Sequence, residues 1–226
     1  EGVSKDAAKQ AAKSNQNPAQ KFMSNLAEIF APLIPALIVG GLILGFRSFI
    51  GEVAIFDGGT KPLSDTSQFW AGTYSFLWLI GEGIFHFLPV GIPWSITKKM
   101  GGTQILGIIL GICLVSPQLL NAYSVAEAES IPVWDFGFAQ VEMIGYQAQV
   151  IPAILAAFVL VYLERFFKKI TPEYISMIVV PFFSLVLSVL IAHTVVGPIG
   201  WKIGDAIANV VYIGLTTNLR WIFAPI

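Results

Sequence analysis

The sequence YSFLWLIGEGIFHFLPVGIPWSITKKMGGTQILGIILGICLVSPQLLNAY, residues 74–123, decides the fold. It divides into two apolar stretches, Tyr74 to Ile96 and Gln104 to Tyr123, which are joined by a short basic turn over residues 97–102. A helix needs about 20 apolar residues to cross the hydrocarbon core of a bilayer. The pattern therefore predicts two membrane spans that are connected by a turn.

The composition of the whole chain indicates a membrane protein. Of the 226 residues, 55% are hydrophobic and only 12% are charged, and the mean hydropathy is +0.74. Several apolar stretches reach the length of a membrane span, which excludes a soluble domain. Besides the two stretches quoted above, the spans are Ala31 to Ile50, Tyr146 to Leu163 and Tyr174 to Val196. We therefore predict an all-α polytopic membrane protein with five transmembrane helices.

The chain divides into three parts. Residues 1–17 are rich in Lys, Ala, Ser and Gln and lack apolar periodicity, which predicts a linker that follows another domain. Residues 18–196 hold the five spans. Residues 197–226 begin with apolar and polar residues in a helical period, which predicts an amphipathic linker helix lying in the membrane plane. The last six residues, Trp221 to Ile226, read as the start of a sixth span, so we expect the chain to be part of a longer protein.

Two local patterns mark the first helical region. Asn17 is a good helix cap, Pro18 suits the first helical position, and Gln20 stands where a capping box places its return acceptor. Gly41 and Gly45 form a pair of small residues four positions apart, a spacing that is typical of closely packed membrane helices.

The basic residues predict the orientation of the spans. They precede span one and follow spans two and four, whereas the connection from Asn121 to Gly145 is acidic and contains no Lys or Arg. Cytoplasmic loops carry the excess of Lys and Arg, so we predict a cytoplasmic N-terminus and an external Asn121 to Gly145 loop. The basic residues are Lys5, Lys9, Lys13, Lys21, Lys98, Lys99, Arg165, Lys168 and Lys169.

Glu82 and His86 are the first candidate site residues. They stand four positions apart inside an apolar stretch, so they share one face of a helix. An ionisable residue within a membrane segment is costly and is a functional-site hypothesis by default. One interpretation is a pair that binds hydroxyl groups or handles protons in a polar cavity. The alternative is a mutually satisfied pair that holds two helices together.

A second candidate group, Tyr146, Gln147 and Gln149, stands where span four begins. Amides bind the hydroxyl groups of sugars and aromatic faces pack on their rings, so this group suits a carbohydrate path. The alternative is that the amides bond to backbone groups at the end of the helix. We include these three residues with Glu82 and His86 in the predicted substrate-binding set.

Four other residues carry less information. Arg47 is expected to extend toward the outer membrane interface, the alternative being that it faces a cavity, and His193 is expected to be structural. Trp78 or Trp94 could stack on a sugar, but nothing in the sequence distinguishes them from packing residues.

Several functions find no support in the sequence. The chain shows no P-loop, no Ser/His/Asp set and no dinucleotide fingerprint, so we assign no catalytic residue and no cofactor. The single cysteine, Cys113, excludes an internal disulfide and a multi-cysteine metal site. There is no basic tract of the kind that binds nucleic acid.

The opening stretch resembles the membrane C domain of the sugar permeases of the phosphoenolpyruvate-dependent phosphotransferase system. Within the glucose/glucoside superfamily, the motifs VWDFG (residues 133–137), GYQAQVIP (residues 145–152) and KKMGGTQILGI (residues 98–108) are most similar to the trehalose-specific branch. FAPLIPALIVGGLILGFR (residues 30–47) and IAHTVVGPIGWKIGD (residues 191–205) agree with the same family.

The resemblance implies a homodimeric, multi-pass permease of about ten spans in a bacterial inner membrane, whose first five spans form the dimerising scaffold. It implies a disaccharide substrate, most similar to trehalose, and as partners a phosphorylated B domain, an upstream A component and membrane lipid. In that family, a phosphorylatable cysteine lies in the B domain, and Cys113 does not match its motif. The family's sugar-contacting histidine and glutamate would fall after Ile226. The whole protein would therefore be a sugar phosphotransferase, while this chain alone lacks the phosphorylation site.

The sequence is also compatible with a different class of function. The chain could be a small membrane protein without transferase activity, either a substrate-binding subunit or an oligomeric scaffold. A loop or tail at the C-terminus would favour this class, whereas the apolar run from Trp221 to Ile226 favours the permease.

Overall fold

The structure, a computed structural model of the chain, describes residues 17–216. The predicted linker, apart from Asn17, and the predicted start of a sixth span lie outside the described residues. The helices within that range are α1 (Pro18–Phe30), α2 (Ile34–Glu52), α3 (Gln68–His86), α4 (Leu88–Met100), α5 (Gln104–Leu114), α6 (Val150–Ile170), α7 (Glu173–Ile191) and α8 (Gly197–Thr216).

Two small antiparallel hairpins lie in the loops. β1 (Ala54–Phe56) pairs with β2 (Lys61–Pro62), and β3 (Val133–Asp135) pairs with β4 (Gln140–Glu142). At the second hairpin, the Asp135 carboxylate accepts hydrogen bonds from the Gly137 backbone at 2.8 Å and the Gln140 side chain at 3.0 Å. These two bonds stabilise the carboxylate form and lower the pKa of Asp135.

The predicted helix start at Asn17 is confirmed. The backbone N–H of Asn17 donates to Gln20 Oε1 at 3.1 Å, and Pro18 occupies the first helical position. A 3₁₀ turn over Ala31–Leu33, which contains Pro32, joins α1 to α2. The two helices form one apolar stretch of 35 residues from Pro18 to Glu52, long enough to cross a membrane.

The single helix predicted over Tyr74 to Ile96 is instead two helices. α3 ends at His86, α4 begins at Leu88, and their axes are bent by 41°. Pro89 explains the break, because it has no N–H to donate to the carbonyl four residues earlier and its ring clashes with that carbonyl.

The helix predicted over Gln104 to Tyr123 is too long. α5 ends at Leu114 after 11 residues, which corresponds to about 17 Å and is too short to cross about 30 Å of hydrocarbon. Pro117 lies just beyond the end of α5. α4 and α5 pack side by side as a helical hairpin whose tip is Gly101, in the left-handed conformation (φ 71°).

The close packing of this hairpin depends on two glycines of α5. A Cβ on Gly107 would lie 2.6 Å from the carbonyl oxygen of Pro93, and a Cβ on Gly111 would clash with the backbone of Pro89. The pair predicted from sequence, Gly41 and Gly45, has no atom within 4 Å of either added Cβ. The close approach of α4 and α5 therefore depends on Gly107 and Gly111, and Gly40 of α2 likewise lies against α3, where an added Cβ would be 3.0 Å from the Ile84 side chain.

α7 and α8 form one continuous helical stretch. A π-helical turn over Ala192–Val196 joins them, so the chain does not break at residue 197 where the linker helix was predicted to begin. The stretch from Glu173 to Thr216 has 44 residues and is about 66 Å long, roughly twice the thickness of a bilayer core. Part of it must therefore lie outside the hydrocarbon or along its surface.

The core lies where α4, α5 and α6 meet. Ile92, Ile96, Leu110, Leu114 and Leu160 are all fully buried there. Among the described residues, three helical stretches are long and apolar enough to cross a membrane, or four if the bent α3–α4 pair counts as one span. The structure thus supports a helical membrane protein and does not confirm five spans.

Candidate functional site

The end of α3 faces two adjoining cavities. One has a volume of about 380 Å³ and the other about 320 Å³, and both are lined by Glu82, His86 and Asn121. We refer to the two cavities together as the Glu82 site. The site exists because the chain breaks after His86 and returns beside it in the segment after α5.

Glu82 and His86 form the pair that their spacing predicts. His86 Nδ1 lies 3.1 Å from Glu82 Oε1, and the side chains are 18% and 35% exposed, respectively. The pair is therefore satisfied internally and is still accessible from the cavities. Both interpretations of the pair from sequence are compatible with this geometry.

The loop after α5 supplies the opposite wall of the larger cavity. The Tyr123 ring packs on the His86 imidazole with a centroid distance of 4.7 Å and an interplanar angle of 32°. Asn121 Oδ1 accepts a hydrogen bond from the Tyr123 backbone at 3.0 Å, which begins a 3₁₀ turn. Ser124 also lines this wall. Only the folded chain brings these residues to α3, so sequence periodicity gave no signal for Tyr123 and Ser124.

The structure distinguishes the two tryptophans that the sequence could not. Trp78 lines the Glu82 site, whereas the indole of Trp94 donates to Gln104 Oε1 at 3.2 Å. The Arg47 guanidinium carbon lies 3.8 Å from the Tyr74 ring centroid and 4.5 Å from that of Trp78. These cation–π contacts hold the Trp78 ring at the cavity wall.

Gln147 lines the smaller cavity, but its amide is engaged with the backbone. Its Oε1 accepts from the Ala122 N–H at 2.9 Å, and its Nε2 donates to the Val115 carbonyl at 3.4 Å. The Tyr146 N–H also donates to the carbonyl of Leu114 at 2.8 Å. These bonds satisfy carbonyl groups at the end of α5, which is the alternative role considered for the amides.

Ala148 has an unusual backbone conformation beside the site. Its φ is +59°, in the left-handed region that alanine seldom adopts. In this conformation its N–H donates to the carbonyl of His86 at 3.2 Å, so the end of α3 is fixed by the segment before α6. Gln149 follows as the residue before α6, and the walls of the Glu82 site do not include it.

Tyr146 belongs to a different cavity. It is 3% exposed, and it lines a cavity of about 290 Å³, which we call the His193 cavity. The five predicted site residues are therefore divided: Glu82, His86 and Gln147 line one site, Tyr146 lines another, and Gln149 lines neither. Glu142, His193, Trp201 and Lys202 line the His193 cavity together with Tyr146.

The Glu82 site has the chemistry of a binding site for hydroxyl groups. A carboxylate, an imidazole and amides can exchange hydrogen bonds with a polar ligand, and two aromatic rings can pack on its apolar faces. Among the described residues, no group of three or more His, Cys, Asp or Glu side chains could hold a metal ion.

Comparison with known families gives one match to most of the chain. The family model described as phosphotransferase system, EIIC, matches residues 27–225. No solved structure gave a significant match.

The chain is also similar to curated proteins. It is 50% identical over 225 residues to the trehalose-specific EIIBC component of the phosphotransferase system of Escherichia coli K12, covering 99% of this chain and 46% of that protein. It is 38% identical to the trehalose-specific EIIBC component of Bacillus subtilis 168 over 208 residues, 91% of this chain and 44% of that protein. It is 34% identical to the sucrose-specific EIIBC component of Pasteurella multocida Pm70 over 207 residues, 90% of this chain and 42% of that protein. The chain spans less than half the length of each of these relatives.

Proposed function

The chain belongs to the phosphotransferase system EIIC family, and on that premise we propose that it is the N-terminal part of the membrane domain of a trehalose permease. The whole protein would take up trehalose and deliver it to the cytoplasm as trehalose 6-phosphate. One observation carries the proposal, namely the 50% identity over 99% of the chain to a relative named as trehalose-specific. The sucrose-specific relative from Pasteurella multocida is only 34% identical to this chain, and this lower identity favours trehalose over sucrose as the substrate.

In this proposal the Glu82 site contributes polar lining to the sugar path. Glu82 would accept hydrogen bonds from sugar hydroxyl groups, and His86 would remain its partner within the wall. Trp78 and Tyr123 would pack against the sugar ring. Tyr146, Gln147 and Gln149 would line or support the path near the start of α6. None of these residues carries out phosphoryl transfer.

The phosphoryl group would come from a partner. The relatives named above are EIIBC components, so we propose that a phosphorylated B domain, which is itself supplied by an A component, donates the phosphoryl group to the sugar. We further propose a homodimer in a bacterial inner membrane, with about ten spans in the whole protein and a cytoplasmic N-terminus. The exposed apolar faces of the helices, such as Met177 at 90% exposure, suit contact with lipid or a second copy.

Growth complementation tests the proposed substrate. The intact protein would be expressed in bacteria that lack their own trehalose and sucrose permeases but keep the general phosphotransferase enzymes. We expect growth and labelled-sugar uptake on trehalose and much slower uptake of sucrose. Uptake of sucrose without uptake of trehalose would contradict the proposed substrate, and uptake of neither would contradict the proposed function.

A further inference from the structure

Arg47 lies in the contact between α2 and α3. Leu44, Arg47 and Gly51 follow one another at intervals of three and four residues, so they share one face of α2. The Leu44 side chain fills the space that a Cβ on Gly81 would need. A Cβ on Gly51 would overlap the Tyr74 ring. This face of α2 therefore packs on α3 on both sides of Arg47.

Aromatic rings of α3 surround the Arg47 guanidinium. The guanidinium carbon lies 3.8 Å from the centroid of Tyr74 and 4.5 Å from that of Trp78. Within the described residues, Arg47 Nε is buried without a hydrogen-bond partner, and no carboxylate forms an ion pair with this side chain. A cation–π contact is stronger when the cation is removed from water. A charged residue without an anionic partner in a membrane segment is costly, which points to a role beyond packing.

Trp78 connects Arg47 to the Glu82 site. The indole lines the larger cavity together with Glu82, which lies one turn further along α3, whereas Arg47 lines neither cavity of the site. Trp78 is 43% exposed, so packing against its neighbours restricts its rotamer only in part. The guanidinium over its ring favours the rotamer that the structure shows. Arg47 therefore reaches the cavity through Trp78.

We propose that Arg47 is a positioning residue for sugar binding. Its guanidinium holds the Trp78 indole at the wall of the Glu82 site, so that the ring is already in place for the apolar face of a neutral disaccharide. A side chain that is ordered before binding loses less conformational entropy when the ligand arrives, and this lowers the Kd. Arg47 itself does not touch the sugar. This inference rests on the proposed function.

A double-mutant cycle in the intact protein tests whether Arg47 acts through Trp78. Arg47→Met removes the charge, Trp78→Leu removes the ring, and the two are also combined. Initial rates of labelled-trehalose uptake give the KM and the maximal rate per amount of protein in the membrane. Lys61→Met is the control, because it removes one positive charge from the exposed loop between α2 and α3.

We expect Arg47→Met to raise the KM about fivefold, which is the size of effect that one cation–π contact supplies. The maximal rate should stay within about twofold of the wild type, because the phosphoryl transfer step is unchanged. Trp78→Leu should raise the KM about tenfold, and adding Arg47→Met to it should raise the KM no further. Arg47→Lys keeps a cation and should recover most of the loss, and Lys61→Met should transport as the wild type does.

If Arg47→Met does not reach the membrane, Arg47→Lys replaces it in the cycle. Its ammonium group is more compact than a guanidinium and stacks less well on a ring. We then expect a rise in KM of about twofold in the wild-type background and none in the Trp78→Leu background.

Three results would overturn the positioning role. An equal rise in KM in both backgrounds would mean that Arg47 acts on the sugar or on Glu82 directly. An unchanged KM in Arg47→Met, with or without a lower melting temperature, would leave Arg47 with at most a structural role. An unchanged KM in Trp78→Leu would remove the indole from the sugar path. The proposed function survives all three results, whereas a wild type that takes up no trehalose would overturn the proposed function as well.

Discussion

A substitution of Glu82 can show whether this residue binds the sugar or only stabilises the fold. Glu82→Gln keeps the shape of the side chain but removes the charge that pairs with His86 and accepts hydrogen bonds from a ligand. We expect the KM for trehalose uptake by the intact protein to rise about tenfold, since a hydrogen bond to a charged group contributes roughly 1.5–3 kcal/mol. The melting temperature should change little, because the pair is partly exposed.

Asp57→Asn is the control for Glu82→Gln. Asp57 and Lys61 form an exposed pair of the same spacing, with Nζ and Oδ2 2.9 Å apart. Exposed pairs contribute little to stability, so this variant should transport as the wild type does. Unchanged uptake together with an unchanged melting temperature in Glu82→Gln would remove Glu82 from the sugar path.

Glu164 is a buried carboxylate that the sequence did not indicate as important. It is 1% exposed, lies on α6, and accepts from the Thr103 backbone at 2.9 Å, the Thr103 hydroxyl at 2.5 Å and Lys168 Nζ at 2.7 Å. Thr103 is the residue before α5, so the carboxylate caps the positive end of that helix. We expect Glu164→Gln to lower the free energy of unfolding by about 2–3 kcal/mol, because an NH₂ group would then face a donor.

A thermal-shift assay of the intact protein in detergent measures the effect of Glu164→Gln. Glu52→Gln is the control. Glu52 is the last residue of α2 and is exposed, so this variant should leave the melting temperature unchanged. Equal melting temperatures for all three proteins would mean that Glu164 does not hold the α4–α5 hairpin to α6.

At the scale of elements, the α4–α5 hairpin depends on Gly111. Gly111→Ala would place a Cβ against the Pro89 backbone, and overpacking of a close contact usually costs about 1–3 kcal/mol. We expect a lower melting temperature for Gly111→Ala in the same assay. Gly41→Ala should keep or slightly raise the melting temperature, because its Cβ meets no atom within 4 Å and alanine favours a helix. The reverse order would show that α4 and α5 do not pack as described.

Local signals predicted the features that depend on neighbours within one turn, and long-range packing decided where several helices break or end. The capping residues Asn17 and Gln20 and the Glu82–His86 pair are confirmed because each depends on neighbours within one turn. An apolar run gives no sign of a chain reversal, so the short α5 and the return of the chain beside His86 were not predicted. Tyr123 and Trp201 reach their sites only through the tertiary fold, which no periodicity reveals.

At the scale of the whole molecule, the orientation of the chain is testable by cysteine labelling. In a Cys113→Ser background, a cysteine at Phe138 should react with a membrane-impermeant maleimide in intact cells, because this residue is 91% exposed in the loop predicted to be external. A cysteine at Lys98, in the turn predicted to be cytoplasmic, should react only after permeabilisation. The opposite pattern would place the N-terminus outside.

The chemical form of trehalose after uptake tests the central claim most directly. Cells that lack their own trehalose permease and trehalose 6-phosphate hydrolase would express the intact protein and receive labelled trehalose, and the label inside would be identified by mass spectrometry. Phosphorylation coupled to transport predicts trehalose 6-phosphate within the first moments of uptake, and no uptake in cells without the general phosphotransferase enzymes. Accumulation of free trehalose, independent of those enzymes, would contradict a phosphotransferase permease.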